Sequence, residues 1–354
     1  MTAVRGGSSA PRLDDLIDSV ACAGVLGLAS QIVDGAPIGV VDLEGRLVIG
    51  DDPGPVAPRR YPITLRGVEV GTVEAPDEVP EGVLALVARS LELAMNGAVE
   101  AARRARIEHE MAIGRRIQLA LLPQRFPAVD GWSFAAAYEA AREVGGDLYD
   151  LFPVRGRTDR IGLLVADVTG KGIPAALLMA DVRALLHAAT DNAETPGDAL
   201  RRVNRILVTE RPTSLFVTAS LHVLDTATGE VRYASAGHEP SILERAAGGI
   251  ETLEADGPLL GAFADATYED RSTTLADGDL LLAYTDGVTD ARDIDGTFFG
   301  EDRLRAVVHA SRGSDPEALA SAIVEAVGEH RAGAEPFDDL TLLVAARRSA
   351  ERTG

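Results

Sequence analysis

Aspartates stand at the ends of apolar runs three times in this sequence. Ile161-Gly162-Leu163-Leu164-Val165-Ala166 ends on Asp167, and Leu280-Leu281-Leu282-Ala283-Tyr284-Thr285 ends on Asp286. The pair Asp338-Asp339 opens the run Leu340–Ala346, and a fourth position, Asp147, follows Val144-Gly145-Gly146. A carboxylate at the end of a buried strand loses hydration that a cation or hydrogen bonds must replace. No cysteine or paired histidine lies near these positions, and an all-oxygen donor set suits Mg²⁺ or Mn²⁺ rather than structural zinc. Four or five carboxylates exceed what one Mg²⁺ takes from protein, so two ions are expected. Two such ions ~3.5–4 Å apart orient and deprotonate a bridging water for in-line attack on phosphorus. Asp167, followed by Thr169-Gly170-Lys171-Gly172, is the candidate bridge, since glycines there let main-chain carbonyls approach an ion.

Each segment also has a simpler reading. Asp147 or Asp150 could be turn residues, Asp286-Gly287 an ordinary turn, and Asp338-Asp339 a break before a strand. Gly170-Lys171-Gly172 does not complete a phosphate loop, because Val165 stands where the first glycine is needed and Gly172 replaces the Ser or Thr. His238 could be a general acid or a hydrogen-bonded turn histidine. Arg142 could hold a phosphate or form a surface ion pair.

The elements that would position these groups follow from periodicity. Trp132–Tyr138, Leu148–Val154 and Ile161–Val168 read as strands, the last buried on both faces. Ile173–Ala189 reads as a helix with Pro174 in its first turn, and Thr195-Pro196 caps a second that runs to about Val208. Phe216–Leu224 and Val231–Ala236 form a hairpin. Strands at Ser241–Leu243, Glu251–Leu253, Tyr268–Thr274 and Leu280–Tyr284 follow, then helices Glu301–Ala310 and Pro316–His330 and the strand Leu340–Ala346. Hairpins with paired helices predict an α+β domain of two antiparallel sheets covered by helices.

Upstream, residues 1–11 are expected to be disordered and Leu13–Val33 helical. Two hairpins follow, Ile38–Leu43 with Leu47–Ile49 and Ile63–Leu65 with Val68–Val73. This order is similar in architecture to a small GAF or PAS sensory domain, here residues 1–80. Residues 81–122 form a linker helix, in which Leu84, Val87, Leu91, Ala94, Ala98, Ala101 and Ala105 make a coiled-coil seam. After a phase slip, Ile107, Met111, Ile117 and Leu121 make a second stripe. A parallel homodimer is expected from this helix; the alternative is a helix packed on its own domain, broken at Asn96-Gly97. The catalytic domain is expected over 123–349.

Composition sets the outer limits. The chain has 354 residues, a formal charge of −21 and one cysteine, Cys22. The single cysteine excludes an internal disulfide framework and fits a reducing compartment. No apolar run of ~20 residues is apparent, and the amino terminus lacks signal-peptide order, so a cytoplasmic protein without a membrane span is expected. The negative charge argues against nucleic acid as partner.

The joint pattern resembles the metal-dependent serine/threonine phosphatases of the PPM (protein phosphatase 2C-like) superfamily, in its bacterial SpoIIE/RsbU-like branch. The matching segments are Ile117-Gln118 with Leu121-Leu122-Pro123, Val144–Asp150, Asp167–Gly172, Ser235–His238, Tyr284–Thr289, Phe299-Gly300-Glu301 with Arg303-Leu304, and Asp338–Thr341. The resemblance implies a four-layer α-β-β-α sandwich and assigns roles. Asp167 would bridge two Mn²⁺ or Mg²⁺ ions, with the Val168 carbonyl and Asp147 completing one site. Asp286 and the Asp338-Asp339 pair would complete the other, Asp338 being the preferred ligand of that pair. It further implies that the substrate is a phosphorylated STAS-fold anti-anti-sigma protein, whose dephosphorylation releases a sigma factor through an anti-sigma kinase. A module of the same fold that acts only by binding a partner is the alternative.

Overall fold

The computed structural model describes residues 19–54, 58–142, 144–157, 159–210 and 214–348. The disorder expected over 1–11 and the helix start at Leu13 lie outside the described residues. The chain divides into two compact units, Met1–Glu110 and Met111–Gly354, and the division falls within one long helix.

The first unit holds helix α1 (Ser19–Ile32) and strands β1 (Gly39–Asp42), β2 (Leu47–Gly50), β3 (Arg59–Leu65) and β4 (Val68–Ala75). The strands pair antiparallel in the order β2-β1-β4-β3. Both expected hairpins are present, β1 with β2 and β3 with β4. Their turns are closed by left-handed residues, Gly45 in one and Arg66-Gly67 in the other. Helix α2 runs unbroken from Glu81 to Leu121, through Asn96-Gly97.

The seam expected on this helix is used differently in its first half. Leu84, Val87 and Leu91 are buried in a core with Ile38, Val40, Ile63 and Val73 of the sheet. A four-stranded sheet needs one face covered, and these residues cover it, so they cannot also face a second copy. Ala98, Ala101, Ala105 and Ile107 of the later turns are exposed. Leu91, 1% exposed, would place a charge in that core if replaced by Asp. Leu91→Asp is therefore expected to unfold the first unit, at a cost of about 3–5 kcal/mol. Loss of the lower-temperature transition in calorimetry would show it; a native melt with altered mass alone would contradict this packing.

The second unit contains β5 (Trp132–Glu139), β6 (Leu148–Pro153), β7 (Arg160–Val168), α3 (Ile173–Asn192) and α4 (Pro196–Thr209). It continues with β8 (Val217–Asp225), β9 (Glu230–Ala236), β10 (Ser241–Glu244), β11 (Ile250–Leu253), β12 (Arg271–Thr274) and β13 (Leu280–Tyr284). The short α5 (Asp286–Thr289), α6 (Gly300–Ala310), α7 (Pro316–Arg331) and β14 (Leu340–Arg347) complete it. Two five-stranded antiparallel sheets result, β12-β9-β8-β7-β6 and β11-β10-β13-β14-β5.

Alternation along the strands sorts the side chains into separate cores. Leu164, Ala166 and Val168 of β7 pack with Ala175, Met179 and Val182 of α3 and with Leu200 and Val203 of α4. The intervening Ile161, Leu163 and Val165 meet Leu281 and Ala283 of β13 and Leu343 and Ala345 of β14. The other faces of β13 and β14, through Leu282, Leu342 and Val344, pack with Leu304 of α6 and with Leu319 and Ile323 of α7. Caps mark the helix starts: Thr195 Oγ1 accepts from the Asp198 N–H (3.2 Å) and the Asp315 carboxylate from the Ala318 N–H (2.8 Å).

Two expectations require correction. The strand predicted over Tyr268–Thr274 is confined to β12. Tyr268 is drawn into the helix-side core, and the Asp270 carboxylate accepts from Gly197 N–H and Thr195 Oγ1–H (2.7 Å each) at the start of α4. The second concerns apolar length: α2 and α3 each contain an 18-residue window apolar enough to cross a bilayer by composition. In α3 the apolar positions Met179, Val182 and Leu186 are fully buried against the sheet.

Candidate metal centre

Antiparallel pairing explains why the four acidic segments converge. In such a pair the end of one strand lies beside the start of its neighbour. Leu148 at the start of β6 pairs with Ala166 near the end of β7, which brings Asp147 beside Asp167. Tyr284 at the end of β13 pairs with Leu342 near the start of β14, which brings Asp286 beside Asp338-Asp339. Face-to-face packing of the two sheets then joins the pairs. Thr285 Oγ1–H donates to Asp147 Oδ2 at 2.7 Å, and the Thr285 N–H donates to the Thr341 carbonyl at 3.0 Å.

The loop carrying Asp147 is held from two sides. Asp339, 6% exposed, spends both carboxylate oxygens on backbone: Oδ1 accepts from Ala141 N–H (2.8 Å) and Oδ2 from Gly146 N–H (2.7 Å). Gln118 of α2, also buried, donates Nε2–H to the Gly145 carbonyl (2.7 Å) and accepts from its N–H (3.1 Å). The glycines are sterically required: a Cβ on Gly146 would lie 2.6 Å from the Val168 carbonyl oxygen, and one on Gly145 would sit 2.5 Å from the Tyr138 hydroxyl. Gly146 thus lets the Val168 carbonyl and the Asp167 carboxylate come up against the Asp147 loop.

The electrostatics are those of crowded like charges. Burial, then Asp167 and Asp339, push the Asp147 carboxyl well above the ordinary carboxylate range. Burial, then Asp286 and Asp338, raise Asp167 to about 7, against a hydrogen bond shared with Asp147. Asp286 is raised by burial and by Asp338, with Lys171 opposing. Asp338 itself is half-buried and takes a hydrogen bond from Lys171 Nζ at 3.2 Å. Glu239 is raised to about 7, chiefly by burial and then by Asp286 and Asp167, and the sequence pattern had not marked it.

These shifts fix the sign of a pH effect. In the unfolded chain such carboxyls ionise near 4, whereas Asp167 and Glu239 hold their protons to about 7 in the fold. Between those values Asp167 and Glu239, with Asp147 and Asp286 also raised, bind more protons in the fold. This outweighs His222 and His238, which burial keeps neutral and which act the other way, so metal-free stability falls as pH rises. With a chelator present, the melting temperature of this unit is expected to be lower at pH 8 than at pH 5.5, and added Mn²⁺ to remove most of the difference. A chelated protein that is more stable at pH 8 would contradict the crowding.

The residues fit a hard cation by donor chemistry: buried oxygens, mutually repelling, with an adjacent carbonyl made accessible by Gly146. As placed, no three Asp, Glu, His or Cys side chains among the described residues close tightly enough to enclose an ion. Asp150 does not join the other carboxylates. It lies in β6 facing away, ion-paired with Arg183 Nε at 2.6 Å and contacting His187 Nε2 at 2.5 Å. His238 resolves toward the structural reading: its Nδ1 lies 2.8 Å from Thr218 Oγ1, and burial lowers it to about 3, which keeps the ring neutral. Arg142 is exposed. A groove of about 570 Å³ beside Trp132 and Pro316 includes none of the carboxylates.

The family model for Stage II sporulation protein E (SpoIIE) matches residues 157–348. The chain belongs to the SpoIIE family. Protein IcfG of Synechocystis sp. is 32% identical over 67% of this chain and 41% of its own length. Phosphoserine phosphatase RsbU of Bacillus subtilis is 28% identical over 68% of the chain and 71% of its own. The chain therefore spans less than half of the first of these relatives. Among solved structures, the SiaA-PP2C domain of Pseudomonas aeruginosa aligns with a TM-score of 0.62 at 22% identity, over 70% of this chain and all of that one. The RsbU and RsbW domains of Rv1364c from Mycobacterium tuberculosis align at 0.55 and 29% identity, covering 64% of this chain and 63% of that one. The SpoIIE-type segment thus shares the fold of these PP2C and RsbU domains.

Proposed function

We propose that the chain is a Mn²⁺- or Mg²⁺-dependent phosphoprotein phosphatase acting on phosphoserine or phosphothreonine. The observation that carries this is the meeting of Asp147, Asp167, Asp286 and Asp338 at paired strand ends, with the Val168 carbonyl brought in over Gly146. Asp147, Asp167, Asp286 and Asp338, with the Val168 carbonyl, would hold the ions, and Asp167, whose carboxyl is raised by Asp286 and Asp338 and shares a hydrogen bond with Asp147, would be the ligand common to both. When bound, the ions supply an acidified water and neutralise charge on the phosphoryl group. Asp339, whose oxygens are both taken by backbone N–H groups, holds the Asp147 loop in place rather than ligating. Thr285 and Gln118 fix the same loop. Lys171, within reach of Asp338, is placed to meet the phosphoryl oxygens as the ligands rearrange. The partition of side chains into three cores supports the four-layer α-β-β-α order.

The substrate proposed is a STAS-fold anti-anti-sigma protein in a partner-switching pathway that controls a sigma factor, a reading supported by the similarity to RsbU. The reading also places the protein in the cytoplasm and the first unit as a GAF/PAS-like sensor. It makes the chain a homodimer through the exposed turns of α2 from Ala98 onward. The test is hydrolysis of p-nitrophenyl phosphate and of serine-phosphorylated protein with and without Mn²⁺. Metal-dependent turnover of both is expected. Partner binding with no turnover at any metal concentration would leave a sequestering module instead.

A further inference from the structure

Beside the carboxylates lies a cationic feature that the phosphatase reading does not use. Arg292 is clasped between two aromatic rings, with its Cζ 4.6 Å from the Phe298 centroid and 4.2 Å from that of Phe337. Its Nε is buried and has no hydrogen-bond partner. The rings themselves are 45% and 51% exposed, so the clasp lies at the surface.

The clasp is built rather than incidental. Arg292 and Phe298 form an isolated β-bridge, and the Phe299 N–H donates to the Ala291 carbonyl at 2.7 Å. Asp293 Oδ1 accepts from the Asp295 and Thr297 N–H groups (2.9 and 2.8 Å), tying the loop to itself. Arg303 Nη1 donates to the Phe298 and Phe299 carbonyls (3.0 and 2.8 Å), and His330 Nε2 lies 2.9 Å from the Thr297 carbonyl. Asp293 is thereby committed to backbone and does not neutralise Arg292. On the other side, Phe337 immediately precedes Asp338. Lys171 Nζ donates to the Phe337 carbonyl at 2.8 Å and stands 5.2 Å from the Phe337 ring. Phe337 therefore has two cations near its ring, Lys171, which also meets Asp338, and Arg292.

Two rings at cation–π distance hold a guanidinium in place, and its terminal N–H donors match a carboxylate bidentately. In a chain of net charge −21, an acidic segment is repelled at long range unless a local cation receives it. We propose that Arg292, fixed by Phe298 and Phe337, is a specificity-determining residue that receives an Asp or Glu flanking the phosphorylated residue of the substrate. This inference rests on the phosphatase reading above, with Lys171 on the phosphoryl side and Arg292 outward along the substrate chain.

The test uses the full chain with Mn²⁺ and serine-phosphorylated peptides that differ at one flanking position, Asp, Ala or Lys. The wild type is expected to favour the Asp peptide over the Ala peptide by about tenfold in kcat/KM, as a charged hydrogen bond supplies, with the difference carried by KM. Arg292→Gln should bring that ratio to about one. Arg292→Lys should retain part of it, and Phe337→Leu, which removes one face of the clasp, should give an intermediate ratio. A wild type without preference for the acidic flank, or an Arg292→Gln variant that keeps it, overturns the proposal. Absence of metal-dependent hydrolysis by the wild type of these peptides, of phosphorylated protein and of p-nitrophenyl phosphate alike would instead overturn the phosphatase reading, and this inference with it. Hydrolysis of the last two without turnover of any peptide would overturn this inference alone.

Discussion

Replacing Asp167 with Asn is expected to abolish Mn²⁺-dependent hydrolysis of p-nitrophenyl phosphate while raising the stability of the metal-free protein. The two effects have one cause. Asp167 lies at the end of β7, among Asp147, Asp286 and Asp338, and burial with the last two raises its carboxyl to about 7. An amide removes a charge that the apo fold resists, and it also removes the anion that would bridge two ions. The rate should fall by orders of magnitude, since activation of water and neutralisation of phosphoryl charge supply much of the barrier reduction. Thermal melts in chelator should show Asp167→Asn at or above the wild-type midpoint, and Mn²⁺ should stabilise it less than wild type. Undiminished turnover would remove Asp167 from the centre. Lost turnover with a much lower chelated midpoint would make its role structural.

A second substitution should act through the backbone alone. Gly287 follows Asp286 in α5, and a Cβ there would overlap the Asp339 carbonyl oxygen and sit 2.7 Å from its carbon. Neither atom can rotate away as a side chain could, so the ends of β13 and β14 must separate. Gly287→Ala is expected to cost about 3 kcal/mol or more, a fall of about 6–12 °C in the melting temperature of a unit this size. Asp286, Asp338 and Asp339 flank the clash, so metal affinity should fall as well. A variant with wild-type melting and wild-type Mn²⁺ dependence would show that the two strand ends are not in contact as described.

Much of the second unit was legible from the sequence because its central strands, such as β7, β13 and β14, are buried on both faces and α4 and α7 carry side-chain caps. The uninterrupted run Ile161–Ala166 and the Thr195-Pro196 and Asp315-Pro316 starts each carry a local signal. The convergence of carboxylates was legible too, since each one closes or opens such a run. Other features were not local. Asp338 and Asp339 are chemically alike in sequence, and what separates them is the pair of backbone N–H groups, nearly 200 residues upstream, that Asp339 accepts from. Gln118 reads as one polar residue on a long helix until its reciprocal bonds to Gly145 are seen. Periodicity alone also could not assign Leu84, Val87 and Leu91, because an apolar stripe states that something covers it and not whether the cover is a sheet or another helix. Arg292 lies in an acidic, glycine-containing turn with no motif to mark its two aromatic neighbours.

The position of β14 has a consequence for the protein's birth. This last strand lies between β13 and β5 in its sheet, and the residues just before it contribute Asp338 to the carboxylates and Asp339 to the loop carrying Asp147. A nascent chain that has emerged only as far as α7 has Asp147, Asp167 and Asp286 but no strand to close the sheet, and its Asp147 loop lacks one of its two supports. Ribosomes add residues at about 5–20 per second, and domains gain structure as units. The centre is therefore assembled only once the stretch from Asp338 through β14 has cleared the exit tunnel. Products truncated before residue 338 are expected to show no metal-dependent turnover.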